Sequence, residues 1–480
     1  MADTLPELDD DALAQVLGLL GAADLDSCRG TCRAWRATGS EPKLWRRLLQ
    51  VTYFAGSPEA LPEQPLAPLG DEDEGVCVMP SSELGPAPSW RVAFLRWHAL
   101  SRRVDGPRPM DAALWMQIAG AWARLERALR GRMPAIKETL CSPASAEQLA
   151  VLHSRGLRYI HAIHDGQELA LDRFMLAQDN DGVRANRDSV CLGLFGGYSV
   201  YNHRVHMRMH PLQISVGIAT SWESKFKLGE AHADAIALAG SDRLEIVSVS
   251  HSLSRFFAVD CADVLYIHAD LGGWEVAAPS LGAWFCEHAR RVEDGTHRIG
   301  HVLGPESPAE GIMLFPCRVD GEFCSREVTQ GIEVVASAVY CPEHPQTFCY
   351  SLRFLMHPDA PHASAQLVRR RWLISDGSEE PRHVVGDGVV GMFPVLRRGG
   401  GYRDDRQAKQ TFSGAASLAK GKEREGWFEY QSFSGPMGSA EGGKFAGDIM
   451  FVPGSLAAPT GEPFAVSVAP FRLARAPLLF

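Results

Sequence analysis

At 480 residues the chain exceeds what one compact core accommodates, so two or three domains are the expectation. A hydrophobic fraction of 45% and a charged fraction of 22% are those of an ordinary globular protein rather than a disordered one. The formal charge of −10 argues against a general nucleic-acid binder, and no run of roughly 18 apolar residues is present to span a membrane.

Other global features narrow the setting. Arg369-Arg370-Arg371 reads as a solvated strand end rather than a phosphate site. Met1 to Glu7 is acidic and lacks the basic-then-apolar order of a signal peptide. The 11 cysteines are therefore expected as thiols in a reducing compartment, cytoplasmic or nuclear, and no Cys-x-x-Cys pair suggests zinc or redox chemistry.

Residues 8–50 carry the most regular helical pattern. Leu13, Val16, Leu17 and Leu20 occupy one helix face, Asp9, Asp10 and Asp11 suit its positive end, and Gly21 follows as a stop. A second helix from about Asp24 places Leu25, Cys28, Cys32 and Trp35 on one side. Pro42 opens a third, with Leu44, Trp45, Leu48 and Leu49 behind it. So much apolar surface on three short helices calls for a partner.

Between Ser57 and Pro88 recurring prolines and the run Asp71-Glu72-Asp73-Glu74 predict an exposed linker. Trp90 to Leu100 resumes a helical pattern that can dock on a neighbouring domain. Leu114, Ile118, Trp122, Leu125 and Leu129 predict a longer helix, and a fresh start at Ser142, Pro143 and Ser145 predicts another over Glu147 to Leu157. After Gly166 come short β-like runs: Leu192–Val200, Leu212–Ile218, Leu244–Val249, Phe256–Val259 and Val264–His268. A helix over Leu281–Arg291 closes this α+β unit.

From Gly331 onward the pattern is β. Ile332, Val334 and Ala336 alternate with Glu333, Val335 and Ser337. Further runs lie at Phe348–Met356, Leu367–Ile374, His383–Val385, Trp427–Gln431, Phe445–Val452 and Phe464–Val468, as in an antiparallel sandwich. Gly399–Gly426, poor in large apolar residues, reads as a long exposed insertion.

The spacing Leu8, Val16, Leu20, Leu25, Cys32, Trp35 and Leu44-Trp45 resembles an F-box, with Leu8-Asp9 where that family usually has Leu-Pro. The resemblance implies docking on a Skp adaptor, and through it on a cullin scaffold. It assigns that contact to Leu8, Leu13, Val16, Leu17, Leu20, Leu25, Cys28, Cys32, Trp35, Leu44 and Trp45.

The C-terminal region, about 328–475, resembles an ApaG domain. The stretches concerned are Gly331-Ile332-Glu333-Val334, Arg371 to Asp376, Gly386 to Gly391, Phe428-Glu429-Tyr430, Ser439 to Gly442 and Pro470 to Leu473. The middle, about 109–300, resembles a Smi/Knr-like domain of the SUKH superfamily. It does so at Pro134-Ala135-Ile136, His164 to Gln167, Leu194 to Tyr198 and Trp284-Phe285.

The implied fold is multidomain α+β. A three-helix F-box (5–50) is followed by a linker and helical connector (51–108) and an α+β Smi/Knr-like domain (109–300). A connector (301–327) then leads to an all-β fibronectin-III-like sandwich (328–475) with an insertion at 401–426.

Gly386-Asp387-Gly388-Val389-Val390-Gly391 fits G-x-G-x-x-G, but Pro394 argues against the helix a dinucleotide site needs. It reads as a tight turn, with an anion site on the backbone amides around Gly386, Gly388 and Gly391 as the alternative. His203, His206 and His210 have ligand-like spacing but lie among arginines, which favours a structural cluster over a metal site. No nucleophile elbow, P-loop or H-E-x-x-H occurs, and a catalytic thiol at Cys191, Cys324 or Cys341 has no supporting constellation.

The expectation is a non-catalytic substrate-recognition subunit of a ubiquitin ligase, without cofactor or metal. It would bind the Skp adaptor and a target protein, but neither nucleic acid nor membrane. The rival is a small-ligand or anion sensor using the glycine loop.

Overall fold

The computed structural model describes residues 41–68, 84–167, 193–201, 203–217, 235–241, 244–249, 264–269, 273–302, 310–318, 322–341, 344, 347–376, 380–407, 418–438, 442–476 and 478. The first two expected helices and the run Phe256–Val259 lie outside these residues.

Helix α1 (Pro42–Tyr53) begins with its proline in the first turn, where the missing N–H costs no hydrogen bond. Its buried stripe is Trp45, Leu49 and Tyr53, one residue per turn. The following segment is tied down at both ends. Strands β1 (Leu66–Pro68) and β2 (Leu84–Pro86) pair antiparallel, and Ala67 is fully buried. These parts are therefore not the exposed linker that the prolines suggested. Helix α2 (Trp90–Val104) is capped by Ser89 and donates from the Trp97 indole to Leu66 O at 3.0 Å, joining the two elements.

Helix α3 (Ala112–Arg130) is capped by Asp111 and buries Ile118, Trp122, Leu125 and Leu129 as the spacing predicts, while at its first turn Trp115 is buried and the expected Leu114 is only half-buried. The single helix expected over Glu147–Leu157 is two. Ser145 and Gln148 form a capping box on the turn Ala146–Leu149, and Ser154 starts α4 (Arg155–Ile163) by accepting from Leu157 N. A second cap inside the segment ends one helix and opens another. A buried network fastens α4 to its neighbours: Arg158 meets Asp105 at 2.6 Å and the Tyr159 hydroxyl donates to Asp105 at 2.8 Å.

Strands β3 (Gly197–Val200) and β4 (His203–His206) form a hairpin, and β5 (Arg208–Met209) continues into a second sheet. That sheet holds β6 (Ala235–Ser241), β7 (Leu244–Val249), β8 (Val264–Ala269) and β9 (Gly273–Ala278) in sequential antiparallel order. Leu212–Ile218, expected as a strand, is helical over 212–217. Pro211 sets its first turn, and the amide of Leu212 finds its acceptor in the distant Asp165 carboxylate at 2.9 Å. That tertiary cap overrides the local alternation.

Helix α5 (Leu281–Glu293) packs on α3, with Phe285 edge-on to Trp122. Strands β10 (Arg298–Gly300) and β11 (Gly311–Met313) complete the first sheet in the order β10-β11-β3-β4. One contiguous apolar core runs from Trp45 through Trp97, Trp122, Phe195 and Phe285 to Phe315, across the expected boundary near residue 108.

The C-terminal part is a sandwich. One sheet has the order β12 (Cys324–Thr329), β13 (Ile332–Tyr340), β14 (Phe348–Met356), β22 (Phe428–Phe433). The other is built on β15 (Ser364–Ser375), β16 (Arg382–Asp387), β17 (Val395–Arg397), β18 (Tyr402–Arg403) and β21 (Glu423–Arg424), with β23 (Gly443–Ser455), β24 (Ala458–Pro459) and β25 (Phe464–Leu473). Between them Phe354, Trp372, Tyr430, Phe445 and Phe451 form a second core.

The segment expected as an exposed insertion is partly sheet. β19 (Arg406–Gln407) pairs with β20 (Leu418–Ala419), β18 pairs with β17 and β21, and Asp404 and Asp405 are buried. The two carboxylates explain this. Asp405 holds Arg403 and the Gly421 amide, and Asp404 accepts from Lys422 N, so the loop folds onto its own charges.

Candidate functional site

Of the expected adaptor-contact residues, Leu8, Leu13, Val16, Leu17, Leu20, Leu25, Cys28, Cys32 and Trp35 lie outside the described residues. Leu44 is half-buried on α1. Trp45 is a correction: it is fully buried within the chain, edge-on to Phe94 at 5.5 Å with the Arg91 guanidinium over its ring. Its indole belongs to the α1–α2 contact and offers no surface to a partner.

The glycine motif builds a tight two-residue turn after β16. Val389 and Met392 exchange amide-to-carbonyl hydrogen bonds of 2.8 Å, and Val390 and Gly391 between them both have positive φ, 51° and 73°. Gly388 also has positive φ, and a Cβ there would meet Met392 O at 2.6 Å. Its amide donates to Val368 O, while Arg370 donates to the carbonyl of Gly388 at 2.6 Å. The amides of Gly388, Val389 and Met392 are thus already used, and no helix follows to add donors.

His203 and His206 are three residues apart on a strand, so they face opposite sides. His203 is buried with its ring against His344. Cys324 and Cys341 are buried, and Cys191 lies outside the described residues. The sulfurs of Cys341 and Cys349 approach to 3.1 Å.

What sequence reasoning missed is a cleft of about 840 Å³ where the first sheet meets the sandwich. One wall is the outer face of β14 and β22, presenting Arg353, Glu429 and Gln431. The other comes from Ser199 on β3, Tyr201 just after it, and Arg298 to Val302. The Val390 turn, Tyr402, Arg424 and Trp427 close an end.

The charges in this cleft are unevenly matched. Glu429 pairs with Arg298 and accepts from the Ser351 hydroxyl. Arg424 lies 3.5 Å from Asp404. Arg353 stacks over Trp427 at 4.5 Å and reaches Cys317 Sγ at 3.7 Å, and no carboxylate among the described residues forms an ion pair with it. Its Nε is buried without a hydrogen-bond partner. Burial is the main cause that pushes the Cys317 thiol up, so the sulfur meets Arg353 uncharged. Of the four described non-glycine residues at positive φ, two, Tyr201 and Val390, border this cleft. Such strain concentrates at sites that use it.

Comparison with known proteins accounts for the two ends of the chain. Residues 5–51 match the F-box-like family model and residues 341–407 match the ApaG domain model. The chain is similar to F-box protein SKIP16 of Arabidopsis thaliana, 26% identical over 98% of both chains. It resembles Protein ApaG of Methylococcus capsulatus at 30% identity over 90% of that protein and 30% of this chain. The chain belongs to the F-box/ApaG proteins. F-box only protein 3 of Mus musculus, 23% identical, aligns with 87% of this chain and 76% of its own length.

In this F-box/ApaG chain the sandwich is the ApaG part, so the cleft lies on the ApaG domain's outer sheet face, walled by the region before it. Within that preceding region the motif residues form a hub. The Gln167 side chain accepts from Leu194 N at 2.7 Å and donates to Thr139, tying three segments together. Among the described residues no helix is long and apolar enough to cross a membrane.

Proposed function

We propose that this chain is the non-catalytic substrate-recognition subunit of a Skp-cullin-F-box ubiquitin ligase, acting in the cytoplasm or nucleus. The carrying observation is the F-box-like match at residues 5–51 ahead of an ApaG domain at 341–407. The F-box docks on the Skp adaptor through the apolar positions between Leu8 and Trp35, joined by Leu44. The ApaG domain and the middle region, which we read as Smi/Knr-like, hold the target protein. Catalysis is by proximity: tethering raises the concentration of target lysines near the charged carrier enzyme supplied by other subunits.

Capture by a purified Skp adaptor tests the docking. The full chain is retained, and Leu17→Asp with Leu20→Asp abolishes retention while leaving the unfolding profile of the ApaG domain unchanged. Undiminished capture by the double variant overturns the assignment.

A further inference from the structure

The sandwich covers most of its own edges. Along β22 lie β3 and Tyr201, where Ser199 N donates to the Gln431 side chain and the Tyr201 hydroxyl meets that of Ser432. β12 and β25 close on each other: Arg472 N donates to Glu322 O, and the Ser325 hydroxyl to Ala469 O. β16 has no such cover. Among the described residues it pairs with β15 on one side and with no other strand, and none of residues 380–387 is buried. An uncovered edge of this kind templates pairing with another chain.

The ladder fixes which groups face outward. Gly388 N donates to Val368 O, and the register carries that phase on through Arg370 with Gly386 and Trp372 with Val384. The even-numbered residues of β16 therefore bond to β15, and His383, Val385 and Asp387 turn their amides and carbonyls outward. Of these groups the Asp387 carbonyl also accepts from Arg370, at 3.3 Å. The usable edge is bounded at both ends. Pro381 has no amide to offer, and the Val389 amide is committed to Met392 O within the turn. What remains is symmetric about Val385.

That symmetry selects the occupant. A second copy of β16, laid antiparallel with a two-fold axis at Val385, sets Val385 against itself and His383 against Asp387 twice. A shift of two residues either way puts Asp387 opposite Pro381 or His383 opposite Val389. The side chains fit the centred register. Trp372 and its partner Val384 face the core, so His383, Val385 and Asp387 share the outer face. Val385 is 60% exposed, an apolar surface that its own copy covers. Arg369 holds one oxygen of the Asp387 carboxylate at 3.0 Å, and that group is still 67% exposed to meet the exposed His383 imidazole.

We propose that β16 is a self-association edge, through which two copies of this chain join as an antiparallel pair centred on Val385. The patch is well below the size of a stable interface, so the dimer is weak. It fills when two copies are concentrated or held by one partner. The pairing goes beyond the proposed function and depends on neither adaptor nor target.

Sedimentation equilibrium of the full-length chain tests this. The apparent mass rises from monomer toward dimer between about 5 and 500 µM. Val385→Pro removes an outward amide and no ladder bond, and it weakens association about tenfold or more. Charge placement gives an independent reading. His383→Asp sets carboxylate against carboxylate, Asp387→Lys sets cation against imidazole, and each variant alone stays monomeric. Mixed in equal amounts they associate, because one contact becomes a carboxylate–ammonium pair and the other is the original. A chain still monomeric at about 500 µM overturns the proposal and leaves the edge to a strand of another protein. A dimer indifferent to Val385→Pro, or variants that stay apart when mixed, overturns it equally.

Discussion

Replacing Trp45 by alanine separates a core tryptophan from an interface anchor. The side chain has no exposed surface, and its ring meets Phe94 edge-on and Arg91 across its face. A buried tryptophan removes roughly 150–250 Å² from water, which at about 25 cal/mol per Å² is roughly 4–6 kcal/mol. Alanine and partial collapse recover some of this, so Trp45→Ala is expected to cost about 3–5 kcal/mol. Trp45→Phe keeps the aromatic edge contact and is expected to cost about 1–2 kcal/mol.

Because a chain with two cores need not unfold in one step, the readout is local. Hydrogen exchange of the α1 and α2 amides, read beside the first urea transition, should show both helices losing protection together in Trp45→Ala. The ApaG transition should stay where it was. A loss below about 1 kcal/mol accompanied by a fall in adaptor affinity would return Trp45 to the interface and refute the packing argument.

Three further outcomes follow from buried or strained groups. Arg158→Met leaves the Asp105 carboxylate buried with Tyr159 alone, and urea unfolding should show a loss of about 3–5 kcal/mol; a neutral result would mean the pair is not sequestered. Burial above all, with the Arg291 charge in the same direction, holds the His288 imidazole down at about 4 against an ordinary 6.5. The unfolded chain therefore binds the proton first, so this contribution is complete above pH 6.5 and is lost as pH falls toward 4, by about 3 kcal/mol. A urea midpoint followed from pH 8 to 5 should fall less steeply in His288→Asn, and identical slopes would contradict it. Val390→Asn should raise the ApaG melting temperature by about 2–4 °C, since valine is strained at φ 51° where asparagine is not; an unchanged or lower value counts against strain there.

Local pattern sufficed where a helix or strand has one partner face. The stripe of α3, with Ile118, Trp122, Leu125 and Leu129 buried, was legible because 3.6-residue periodicity and burial coincide. The order of β runs from Ile332 to Val468 likewise predicted a sandwich, and its core residues Val334, Phe354 and Phe451 sit where alternation places them. The glycine motif could be recognised as a turn because a positive φ at Gly388 and Gly391 is a property of the residues themselves.

Tertiary structure decided whatever depends on residues far apart. Glu333, on the face that alternation assigns to solvent, is buried because Arg326 and His357 each reach it at 2.6 Å. Residues 212–217 are helical because Asp165 caps them. Trp45 shares the apolar spacing of its neighbours, and only the position of α2 makes it core. The cleft is the extreme case. Tyr201, Arg298, Arg353 and Trp427 come from four separate segments, and no spacing along the chain records that they meet. The sequence states which residues are apolar, charged or flexible; which of the charges meet a partner is settled only when the sheets are set side by side.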